Sequence, residues 1–197
     1  MKYFTSEIWA GWQGNDAAFD RAMKAWNRNL ARYQASLRSL APRLGARCGK
    51  FFTDHSLHDG HLLECVIADW PRSNLRRKQM VSETCVRMAV LAGTKTAIMY
   101  QLLYGEVKEI SVRTKNDLFP LDNSRFGDWG YDELLSAGRH AFRHNILFQT
   151  GTEISITFGS FEFTRRKASV DKLKHYAVAS AGYSASNQTV QRHGISH

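Results

Sequence analysis

Residues 142–164 carry the strongest local signal in the chain and constrain what everything else must do. Ile146 and Phe148 alternate with Leu147 and Gln149, Thr150-Gly151 supplies a turn, and Ile154, Ile156 and Phe158 alternate with Glu153, Ser155 and Thr157. This pattern predicts a β-hairpin with one apolar and one polar face. Gly159 interrupts the run, Phe161 and Phe163 resume its phase, and Arg165-Arg166-Lys167 closes it, which predicts a bulge or a further short strand. A lone hairpin has nothing to bury its apolar face against, so the residues upstream must supply both a cover and more sheet.

The cover is legible near the N-terminus. Ser6-Glu7 starts a brief helix presenting Ile8, Trp9 and Trp12, which Gly14 stops. Asn15-Asp16 then opens a long helix in which Phe19, Met23, Trp26, Leu30, Tyr33, Leu37 and Leu40 recur at spacings of four and three, until Pro42 ends it. Its other side carries Arg21, Lys24, Arg28, Arg32 and Arg38. The same spacing suits a coiled-coil seam, and hence a homodimer through residues 19–40. Packing within its own domain is the better reading, because the repeat covers only about three heptads and Trp26 and Tyr33 are bulky for a tight seam.

Further strands follow. Val86, Met88 and Val90 share one face, Ala92-Gly93 turns, and Thr96, Ile98, Tyr100 and Leu102 form the return; after Gly105, Ile110 and Val112 share the face of another short strand. Residues 114–141 read as loop-rich, with a short helix from Tyr131 to Ala137 leading back into the hairpin. The expected fold is α+β, with N-terminal helices packed on a mainly antiparallel sheet of about five to seven strands. One domain is expected over residues 1–167, helical over 1–44 and a β-meander over 57–164. Ser169 would cap a small helix in 168–197, followed by a flexible tail.

A length of 197 residues suffices for one well-buried core, and no apolar run approaches the length of a membrane helix. The N-terminal MKYFTSEIWAGWQ lacks the apolar core of a signal peptide, so a cytoplasmic location is expected. Cys48, Cys65 and Cys85 are odd in number and widely spaced, which fits reduced thiols. The unusual quantity is charge: +9 net, with a pI near 9.7. Such a surface attracts nucleic acid, phosphorylated ligands or an acidic protein.

Ligand-type side chains are densest in residues 51–71, where His55, His58 and His61 lie among Asp54, Asp59, Glu64 and Cys65. Convergence on a metal would require one shared face, but Gly60 and the apolar run from Leu62 to Ala68 place a turn and a strand there. No metal site is therefore expected. The polar cluster His58, Asp59 and His61 instead reads as the turn into that strand, with His58 hydrogen-bonded to nearby backbone. Residues 72–79, RSNLRRKQ, read as a loop whose Arg72, Arg76, Arg77 and Lys78 form an anion-facing patch, joined by Arg165 and Arg166 from the end of the hairpin. Phe126 and Trp129, in the aromatic stretch 117–131, are candidate contact residues. No GxSxG, phosphate-binding glycine loop or CxxC pair is present, the carboxylates, Glu133 and Glu153 among them, are scattered, and Cys65 and Cys85 fall in apolar strands where thiols are inert. No catalytic residue and no cofactor is assigned.

The opening MKYFT, the LHD at residues 57–59 before an apolar strand, the short VKEISV, and YDE with HNILFQTGTEISITF resemble an uncharacterised bacterial family of helix-then-sheet proteins, catalogued as a domain of unknown function. The resemblance spans most of residues 1–164 and implies an α+β fold without a known activity. In architecture it is also loosely similar to polymorphic-toxin immunity proteins. The expected function is a non-catalytic protein-binding module, an immunity or inhibitor protein docking on an acidic partner. The alternatives are a nucleic-acid-binding protein using its basic surface, and a metal-dependent enzyme using the His55–His61 segment.

Overall fold

Asn15 starts the long helix in the way its side chain permits: Oδ1 accepts the Ala18 amide at 3.0 Å, satisfying a donor that the first turn leaves unpaired. The computed structural model describes residues 1–12, 14–74, 79–93, 97–114 and 126–168, the side chains of 72–74 and 79–81 excepted. Helix α1 is Ser6–Trp12 and α2 is Asp16–Leu40; a 3₁₀ turn, Ala41–Leu44, follows, and α3 is Ala46–Asp54. Eight strands succeed them: β1 Gly60–Asn74, β2 Gln79–Ala92, β3 Ile98–Gly105, β4 Glu109–Arg113, β5 Asp128–Gly138, β6 Ala141–Phe148, β7 Glu153–Phe158 and β8 Ser160–Lys167. The fold is α+β as expected, with one strand more than the upper end of the expected range. Residues 169–197, including the helix expected from Ser169, lie outside the described residues.

The strands form one antiparallel sheet in the order β4-β7-β6-β5-β1-β2-β3-β8. Its two ends are chemically continuous. Only residues 106–108 separate β3 from β4, and only Gly159 separates β7 from β8. β3 pairs with β8 from Ile98↔Lys167 to Gly105↔Ser160, and β4 with β7 from Glu109↔Thr157 to Arg113↔Glu153, so the two ladders are one ladder bent in the middle. Gly159 donates to Gly105 O at 3.1 Å at the bend, where a side chain would press on Glu106, its Cβ 2.9 Å from the Glu106 Cβ. The sheet therefore curls round until its ends join. It opens only between β1 and β5, which share two residue pairs, Gly60↔Trp129 and His61↔Asp128.

Helices manage that opening and the remaining edges. Tyr33 Oη of α2 takes the Leu134 amide of β5 at 3.0 Å. Side chains of α3 take two carbonyls of β8: Cys48 Sγ donates to Phe161 O at 3.0 Å, and Arg47 Nη2 to Phe163 O at 3.0 Å. Inside the curl lie Val86, Met88, Leu102, Tyr104, Trp129, Ile146 and Phe158, all fully buried. Phe52 of α3 closes the interior against Phe161 and His144, at ring separations of 5.0 and 5.1 Å. On the other face of β5, Tyr131 meets Phe4, Trp9, Trp12 and Trp26 from the N-terminal segment and the first two helices.

Four expectations need correction. Residues 131–137 form β5 rather than a helix: Tyr131 and Leu135 are covered on one face and Leu134 on the other, so no polar face marks the strand. The stretch 72–79 is not simply a loop, since β1 runs to Asn74 and β2 begins at Gln79. Helical structure extends past residue 44 to Asp54, because Gly45, at φ 82°, turns the chain into α3. Lastly, only part of the α2 stripe is covered: Tyr33, Leu37 and Leu40 are buried, Trp26 and Leu30 partly so, while Phe19 and Met23 face solvent.

Burial also holds back three of the seven tyrosines. Burial, reinforced by the Asp132 charge, pushes Tyr33 and Tyr104 far up, and burial with the Asp59 charge pushes Tyr131 up to about 12. An unfolded tyrosine loses its proton near pH ~10. The folded chain then holds more protons than the unfolded one, so stability falls as pH rises above ~10 and on through the folded value. An alkaline titration followed by tyrosinate absorbance is expected to show Tyr33 and Tyr104 ionising only as the fold is lost, and their titration in the intact fold would contradict their placement.

A cationic cleft between the third helix and the last strand

Alternation along β8 puts Phe161, Phe163 and Arg165 on one face, while helical spacing puts Arg47, Lys50 and Asp54 on one side of α3. The two elements face each other across a cleft of about 450 Å³. The Arg47 guanidinium lies over the Phe163 ring, 5.3 Å from its centre. His55, just past the end of α3, stacks on Phe51 with ring centres 5.7 Å apart and planes inclined by 18°. Its Nε2 lies 2.8 Å from Arg165 Nη1, and its Nδ1 lies 3.5 Å from Lys50 O. A guanidinium can only donate, so Nε2 accepts and the imidazole carries its proton on Nδ1. Among the described residues Asp54 is the one acid lining the cleft, and its Oδ1 accepts from Thr53 Oγ1 at 2.6 Å. Among the described residues, none of Arg47, Lys50 and Arg165 is in an ion pair.

No family model, curated protein or solved structure matches the chain. The site is therefore read from its own chemistry.

The structure disperses most of the residues singled out from sequence. The three histidines take three different partners: His55 takes Arg165, His58 Nδ1 meets Asp59 Oδ1 at 2.9 Å, and His61 Nδ1 meets Asp128 Oδ1 at 2.8 Å. His58 thus pairs with a carboxylate rather than with backbone, while Asp59, at φ 61°, makes the expected turn before Gly60. Among the described residues no group of three or more His, Cys, Asp or Glu side chains is placed to hold a metal ion. Trp129 is not a surface aromatic: it is fully buried, and its Nε1 donates to Asp132 Oδ1 at 3.0 Å. Phe126 packs partly buried on Phe148. Cys65 is exposed and Cys85 half-buried, contrary to the expectation of buried thiols. Arg166 is exposed on the face opposite Arg165. Arg72 lies in β1 with its side chain undescribed, and Arg76, Arg77 and Lys78 lie outside the described residues. Of the predicted binding residues that are described, Arg165 lines the cleft. Arg47 and Lys50 were missed because α3 was, although their spacing to Asp54 is helical.

A second polar group lies inside the sheet. Tyr104 Oη donates to His144 Nδ1 at 2.7 Å, and His144 Nε2 donates to Asp132 Oδ2 at 3.0 Å, the tautomer that an acceptor-only carboxylate requires. Tyr104 and His144 are fully buried and Asp132 is partly so, and this chain of bonds satisfies polar atoms in the core.

Proposed function

We propose that the protein is a non-catalytic binding module that docks on an acidic protein partner through the cleft of Arg47, Lys50, His55 and Arg165, with an immunity or inhibitor protein as its form. The supporting observation is the set of three cations collected in one cleft without a carboxylate partner among the described residues. Two arginines on the sheet are instead paired with acids, Arg143 with Glu109 at 3.2 Å and Arg87 with Glu64 at 3.5 Å. With +9 net charge behind it, such a cleft steers an acidic surface and sets the register of docking more than the bulk affinity. No helix among the described residues is long and apolar enough to cross a membrane.

The test is the double reversal Lys50→Glu with Arg165→Glu, which keeps the Arg47 cap on β8. Capture of a protein from lysate, with nuclease and across a salt series, is expected to fall about tenfold or more and to lose its salt dependence. Unfolding stability should stay within about 0.5 kcal/mol. Undiminished protein capture would remove the cleft from the reading, and a nuclease-sensitive capture would favour nucleic acid.

A further inference from the structure

Arg165 is partnered by an uncharged acceptor. A guanidinium ordinarily finds a carboxylate or phosphate; here its Nη1 is held at 2.8 Å by a neutral imidazole. Any oxyanion entering the cleft outcompetes that partner. The groups facing His55 are few: Arg47, Lys50 and Asp54 from α3, Arg165 from β8, and Tyr100 from β3 at a ring distance of 6.2 Å, with Phe51 and Phe163 closing the apolar sides. With the imidazole neutral, Arg47, Lys50 and Arg165 against Asp54 leave a formal charge of +2 at the cleft. A single carboxylate supplies one charge and two oxygens. A phosphomonoester supplies nearly two charges and three terminal oxygens, one for each cation.

We propose that this cleft is a binding site for a phosphoryl group, carried on a side chain of the acidic partner, which takes Arg165 from His55 and leaves the imidazole to bind a proton. This rests on the docking reading above and names what docks. Once Arg165 turns to the oxyanion, Nε2 has no donor facing it and an anion beside it. It takes a proton from solvent and becomes a fourth donor, so binding consumes a proton and tightens as pH falls through the imidazole range.

Sulfate is the probe, because its double charge is constant over that range. In calorimetry of the full chain, sulfate is expected to bind several-fold more tightly at about pH 6 than at about pH 8, with proton uptake visible as a dependence on buffer ionisation heat. Arg165→Ala is expected to weaken binding about tenfold or more. His55→Gln should keep sulfate binding and lose its pH dependence, with the His55 ring resonances of the unaltered chain reporting protonation on saturation. A peptide bearing phosphoserine should then outbind its glutamate counterpart by about tenfold.

Binding that ignores both pH and His55→Gln overturns the exchange at Arg165. A glutamate peptide equal to the phosphopeptide, or a 5′-phosphorylated oligonucleotide exceeding it, overturns the ligand class. Absence of sulfate binding overturns the phosphoryl site itself. In each case the docking reading stands or falls separately, on whether the Lys50→Glu, Arg165→Glu variant still captures its protein.

Discussion

Replacing Trp129 by alanine is expected to destabilise the protein by about 4 kcal/mol, read as a lowered midpoint in urea at unchanged slope. The indole has no exposed surface and sits at the one opening of the curled sheet, with its ring centre 5.6 Å from Phe148 and 6.0 Å from His144. Removing it leaves a cavity that strands pinned on both sides of the opening cannot easily collapse into. It also strips Asp132 of the indole N–H at 3.0 Å, loosening the carboxylate that holds His144. A Trp129→Phe change keeps most of the apolar volume and is expected to cost about 1–2 kcal/mol, chiefly for the lost hydrogen bond. An aromatic residue serving a partner would behave oppositely, leaving the midpoint within about 0.5 kcal/mol while weakening capture.

Glu133→Gln is expected to cost about 3 kcal/mol. The Glu133 carboxylate is fully buried on the face of β5 opposite Asp132, and every contact it makes comes from a donor. Oε1 receives Lys2 N at 2.5 Å and Asn145 Nδ2 at 3.0 Å, and Oε2 receives Tyr3 N at 2.7 Å. Glutamine presents one acceptor and turns an amide N–H₂ toward the donors at the other position, so at least one buried N–H loses its acceptor and is opposed by that amide. The damage should be local at first. Amide exchange at Lys2 and Tyr3 is expected to accelerate before that of β6, because those two amides help tie residues 1–4 over the sheet. Phe4 would then loosen from Trp26, whose ring centre is 4.5 Å away, and tryptophan fluorescence would report it. Equal exchange protection in the variant would mean that the segment is held by its aromatic contacts, the Met1 ammonium at Glu153 and the Asn29 bond to Tyr3 O.

Helix α2 and strand β7 could be read from sequence because one face of each is polar, and Asn15 announces where α2 begins. Strand β6 is buried along almost its whole length and was legible through the Thr150-Gly151 turn that joins it to β7. Strand β5 hides, since Tyr131 and Leu135 are covered by helices, Leu134 by the sheet interior, and Glu133 is a buried charge neutralised by donors rather than a solvent-facing one. Helix α3 hides because it is short, begins after Gly45, and places Phe51 and Phe52 side by side where no helical repeat is long enough to show. The cleft inherits that gap. Arg165 was visible as the end of an alternating strand, but its neighbours come from the unseen helix, and the residue it touches, His55, lies 110 positions earlier. Local pattern carries no record of such a meeting.

The bent ladder that joins the ends of the sheet sets an order of events for the chain as it folds. Its pairs bring together Arg113 with Glu153, 40 residues apart, and Ile98 with Lys167, 69 residues apart. The β1–β2 and β6–β7 hairpins, by contrast, pair strands that lie only four residues apart in the chain. Loop closure of that span is slow and unrewarded until both sides are present. During synthesis, β3 and β4 emerge well before β7 and β8, so one edge of β3 waits unpaired until residue 167 has been made. The interval between those two moments is when a neighbouring chain can take the vacant place, and residues 98–105 are where misassembly of this protein would begin.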